Sequence, residues 1–68
     1  MRVIEAFLRM ATGRFVWIDV PSTSPMEGKV EAFDEEHVLL SCELGLFAVA
    51  IDDIASAHLT HQMEIIAP

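Results

Sequence analysis

The chain has 68 residues, enough for one domain spanning 1–68. It carries a single cysteine and eleven acids against four Lys and Arg, for a net charge of −7, which excludes an internal disulfide framework and argues against general phosphate-backbone binding. Hydrophobic residues make up 53% of it, more than so small an interior can hide, so the surplus points to association between chains.

Ile4, Phe7, Leu8 and Ala11 recur at i, i+3, i+4 and i+7, one face of a short helix over about residues 3–11, with Gly13 where it would stop. Val3–Leu8 is also largely apolar, which makes a strand the competing reading. Phe15–Val20 is β-branched and aromatic, hence a strand over about 15–20, ended by Pro21-Ser22-Thr23-Ser24-Pro25. Trp17 is expected in the core or at an interface rather than as a nucleotide platform. A second strand runs over about 26–34 with Gly28 inside it, marking a bulge, a bend or a close backbone approach. Strands follow at about 37–42, 45–51 and 54–60, separated by the polar breaks Asp34-Glu35-Glu36, Glu43-Leu44-Gly45 and Asp52-Asp53. The fourth is apolar on both faces, as a central or interface strand would be. Cys42, beside Leu40 and near Leu44, reads as a small buried hydrophobe.

The class expected is mainly β: a short N-terminal helix and then five short strands in a small barrel or sandwich. No run of about 18 apolar residues could cross a membrane. Glu5 interrupts the N-terminal apolar stretch, unlike a signal peptide, so a cytoplasmic protein is expected. There is no phosphate-cradling glycine loop, nucleophile–base pair or metalloprotease motif. Neither an enzyme, a cofactor nor a resident metal is expected. His58, His61 and Glu64 have a spacing that invites a metal reading. Residues i and i+3 on a strand face opposite ways, so surface polar residues are expected there instead.

Gly28-Lys29-Val30-Glu31-Ala32-Phe33-Asp34, followed by Val38-Leu39-Leu40, resembles the first motif of the Sm-like family, including bacterial Hfq. Ala50–Ala57 sits where the second motif belongs, and the helix carrying Phe7 and Leu8 suits the same layout. The resemblance covers about residues 4–60. It implies a strongly bent, five-stranded open β-barrel whose fourth and fifth strands pair between subunits in a homo-oligomeric ring of five to seven. The interface would then use Leu46, Phe47, Ala48, Val49, Ile51, Ile54 and Ala57.

The family's usual ligand is single-stranded RNA, held at the ring pore by the loops after the two motifs. By position those loops are Asp34, Glu35, Glu36 and His37, with Ile51, Asp52 and Asp53. Asp34 matches the motif's aspartate and is expected to hold its loop. Glu35 and Glu36 stand where Hfq has an amide and a stacking aromatic, and Asp52 and Asp53 stand where the family supplies positive charge. Carboxylates repel phosphate and stack poorly. RNA contact through another surface is therefore expected, with Arg2, Arg9, Arg14 and Lys29 as a basic rim. The alternative is a ring that binds a protein partner and has lost RNA. His37 with the four loop acids could ring a divalent cation at a pore, but a solvated acidic loop is preferred.

Overall fold

A computed structural model describes residues 2–60 of the chain. Helix α1 spans Val3–Ala11, and five antiparallel strands follow: β1 Phe15–Asp19, β2 Met26–Phe33, β3 His37–Cys42, β4 Gly45–Ala50 and β5 Ser56–Leu59. A 3₁₀ turn, Ile51–Asp53, joins β4 to the β5 region. The strands make one sheet in the order β4-β3-β2-β1-β5, and it is not closed into a barrel. Among the described residues no helix is long and apolar enough to cross a membrane.

The helical reading of the N-terminal stretch holds over the strand. Leu8 and Ala11 are buried, with Ile4 and Phe7 packed against the core beside them. Glu5 in the first turn and Arg9 in the last suit the helix dipole. The Thr12 hydroxyl donates to the Leu8 carbonyl at 2.9 Å, and Gly13 follows at φ 84°. That positive φ favours glycine and turns the chain into β1.

Four strands stop one residue earlier than the pattern predicts, and the fifth also starts late. The Val20 carbonyl accepts from Thr23 N–H at 2.9 Å, so β1 gives way to a turn after Asp19. Asp34 folds into its own loop and ends β2 at Phe33. Ile51 enters the 3₁₀ turn, and β5 begins only at Ser56, once Ala55 N–H has reached the Asp19 carbonyl at 2.8 Å.

β2 is shared between two halves of the sheet. Its residues 26–29 pair with β1, and 29–33 pair with β3. A bulge between Val30 and Ala32 leaves Glu31 as the extra residue. Before the bulge Gly28 and Val30 point inward; after it Phe33 does, opposite Val38. The buried cluster forms on that inner side from Leu8, Val16, Ile18, Val30, Val38, Leu40 and Ile51.

Gly28 lies where two backbones nearly touch. A Cβ there would stand 2.9 Å from the Ser41 carbonyl oxygen and 3.3 Å from the Leu40 Cβ. The obstacle is backbone, so β3 itself would have to shift. Gly28→Ala therefore loses stability by about 1–3 kcal/mol through this overlap. The gain of roughly 0.4–1 kcal/mol from stiffening the unfolded chain is too small to offset it. Urea unfolding of the two chains checks this; equal midpoints would refute the close approach.

Candidate functional site

The segments marked as chemical by sequence meet at one end of the molecule. They are the β2–β3 loop at 34–37, the 3₁₀ turn and the start of α1. The Asp34 carboxylate shapes the loop: one oxygen, Oδ1, accepts from Glu36 N–H at 2.7 Å and from His37 N–H at 2.8 Å. Asp34 N–H in turn donates to the His37 carbonyl at 2.9 Å. Two backbone donors on one carboxylate favour its charged form, and the Asp34 pKa is lowered by the bonds from Glu36 and then His37. The loop is tied to the turn by Ile51 N–H, which donates to the Glu36 carbonyl at 2.8 Å.

Arg2 closes the cluster. Its guanidinium donates from Nη2 to the Glu35 carbonyl at 3.0 Å, from Nε to Glu5 Oε1 at 3.1 Å, and from Nη1 to the Asp52 carboxylate. One planar cation thus joins the helix, the loop and the turn. Its pKa is raised, by Asp52 first and then Glu5. All of this lies at the surface, so the clasp orients the segments more than it stabilises the fold.

Glu35, Glu36, His37, Asp52 and Asp53 are exposed, with Asp52 alone of these paired to a base among the described residues. Ile51 is 2% exposed and belongs to the core. Val49 is likewise in the core, while Leu46, Phe47 and Ala48 are exposed and Ile54 and Ala57 are half-buried. Cys42 is only half-buried and stands beside Leu44 at an open pocket rather than in the interior.

Of the four bases, Arg2 is held at the start of α1 and Arg14 follows its end. Lys29 lies opposite Phe15 in the β1–β2 ladder, next to Arg14 in the chain. Arg9, Arg14 and Lys29 make no ion pair among the described residues.

The sequence reading missed the outer face of β1. Val16, Ile18 and Val20 point inward, so Phe15 and Trp17 share the opposite face. Trp17 is 38% exposed, with Glu27 and His58 as its cross-strand neighbours. The sequence reading expected Trp17 in the core or at an interface; it is not in the core. Among the described residues no three His, Cys, Asp or Glu side chains are grouped to hold a metal ion. His61 and Glu64 lie outside the described residues.

Compared with known proteins, the chain matches no family model, no curated protein and no solved structure.

The Asp34 loop has a pH signature. Folding lowers the carboxyl's pKa below its ordinary value of 3.8, so the unfolded chain binds this proton more readily. The stabilisation is present above that value and is lost as pH falls through the folded-state value. Asp34→Ala melts at a lower temperature than the unsubstituted chain at neutral pH, and the gap narrows as pH falls below 3.8. A gap that is constant with pH would mean the carboxylate is not the holding group.

Proposed function

We propose that the chain is a divergent Sm-like ring subunit that associates with single-stranded RNA through the outer face of β1 rather than through its pore loops. The observation that carries the ring is the pair of edges, β4 and β5, at the two ends of one sheet, neither of them paired on its outer side among the described residues. β4 is apolar, with Leu46 63% and Phe47 41% exposed. A free apolar edge is a pairing hazard unless something closes it. Joining β4 of one copy to β5 of the next removes both edges and repeats head to tail until the ring closes. Continuing the sheet across that junction sets Phe47 against Ala57 and Leu59 of the neighbouring copy, since all three belong to inner rows of their strands. The Sm-like reading also draws on the Gly28 close approach and the order of elements.

The RNA surface rests on Trp17, Phe15, Lys29 and Arg14. An exposed aromatic on a flat sheet face stacks bases regardless of sequence, and nearby cations meet the phosphates. The pore loops offer neither, since Arg2 is already held by Asp52 and Glu5. Those exposed acids favour a second reading, a ring that docks a basic protein partner.

Mass measurement in solution tests the ring. Five to seven copies are expected, falling to one in Phe47→Asp, and a monomeric unsubstituted chain at about 10 μM refutes it. Oligo-U and oligo-A titrations at low salt test the ligand. Trp17→Ala is expected to weaken binding roughly 5- to 150-fold, the range for one lost base stack. His37→Ala is expected to leave it unchanged. Failure of both oligomers to bind below about 10 μM removes RNA and leaves the protein-docking ring.

A further inference from the structure

The aromatic face of β1 borders a cavity. It is open, measures about 320 Å³, and is lined by Phe15, Glu27, Gly28, Cys42, Glu43 and Leu44. That volume falls within the range of small-molecule sites. Two of these residues tie the cavity to the face. Phe15 shares its side of β1 with Trp17, and Glu27 is the cross-strand neighbour of Trp17. Phe15 gives the cavity an aromatic wall, Gly28 gives it bare backbone, and Leu44 is 87% exposed.

Its polar chemistry is one-sided. Among the described residues the charged groups of the lining are two carboxylates, Glu27 and Glu43, both on exposed residues. Neither pairs with a base among the described residues. An ionised carboxylate accepts hydrogen bonds and donates none. A flat ring entering beside Phe15 must therefore turn a donor edge to Glu27. Uracil offers one N–H between two carbonyls. Adenine and cytosine each set an amino group beside a bare ring nitrogen. Guanine places two donors side by side, N1–H and N2–H, which suits the paired oxygens of a carboxylate.

We propose that this cavity takes a guanine base of the bound single strand, with Glu27 as the residue that selects it. The inference rests on the β1 stacking face proposed above and adds a base preference to it. Directly opposite Cβ atoms in an antiparallel pair stand about 5 Å apart. A strand that stacks one base on Trp17 therefore brings its next base to the cavity that Glu27 borders. Stacking on the aromatic is indifferent to sequence; hydrogen bonding to the carboxylate is not. Glu43 adds a second negative charge, which keeps phosphate out and favours entry of the base.

The test titrates the full chain at low salt with oligo-U and with the same strand carrying isolated guanines. The guanine-bearing strand is expected to bind roughly 5- to 150-fold more tightly, the discrimination of one bidentate base contact. Adenine at the same positions stacks as a purine but lacks the donor pair, and is expected to stay near oligo-U. Inosine, which lacks the N2 amino group, is expected to lose most of the gain. Glu27→Gln is expected to abolish the preference, while Trp17→Ala weakens both strands and keeps their ratio. Equal binding of the two strands by the unsubstituted chain overturns the guanine assignment and leaves the stacking face standing. A preference that survives Glu27→Gln overturns the role of Glu27. Binding of neither strand removes the stacking face and the base site together.

Discussion

The close passage of β3 over Gly28 is the constraint on which the rest of the sheet depends. Strands in a flat sheet lie roughly 4.8 Å apart with every Cβ clear of its neighbours' backbone. Here the Ser41 carbonyl occupies space a side chain would need. With no Cβ on β2 at that point, β3 can lean in over it. One half of β2 then serves β1 and the other serves β3, so a single strand belongs to both walls of the core. The inner face becomes narrow enough for one short helix and ten buried side chains to fill it. The same curling leaves β4 and β5 as separate edges, each hydrogen-bonded on one side only among the described residues.

At the loop end, the chain solves an electrostatic problem with little charge to spare. Four loop acids, Glu35, Glu36, Asp52 and Asp53, crowd two short connections. Backbone bonds hold the geometry: Asp34 with its own loop, Ile51 with Glu36. Arg2 then places one delocalised cation where Asp52 and the Glu35 carbonyl both reach it. A base committed in this way has few donors left for a phosphate. Of the remaining bases, Lys29 lies opposite Phe15 in the β1–β2 ladder.

Much of this could be read before any coordinates. The helical period of Ile4, Phe7, Leu8 and Ala11 placed α1 at Val3–Ala11, and apolar, β-branched runs between polar breaks found all five strands. The strand ends were less readable because single turn bonds set them, such as Thr23 N–H to the Val20 carbonyl. The bulge at Glu31 was invisible, since Val30-Glu31-Ala32-Phe33 looks like any strand. So was the clasp, whose partners are 33 and 50 residues from Arg2 in the chain. The burial of Ile51 was not readable for a related reason. Its neighbours Asp52 and Asp53 mark a polar turn, but a 3₁₀ turn buries its first residue while exposing the next two.

The bulge also divides the molecule into stretches that differ in their tolerance of changes in length. Ahead of it, even-numbered residues of β2 face the core; beyond it, odd-numbered ones do. That parity switch points Phe33 at Val38 and delivers Asp34 to its loop in the correct orientation. Losing or gaining one residue between Gly28 and Phe33 exchanges the two faces of everything downstream in the strand. The Pro21–Pro25 connection has no such parity to keep, because it lies outside the ladders and is exposed throughout. Lineages descended from this chain can therefore vary freely in length at that connection, while β2 is confined to its present count.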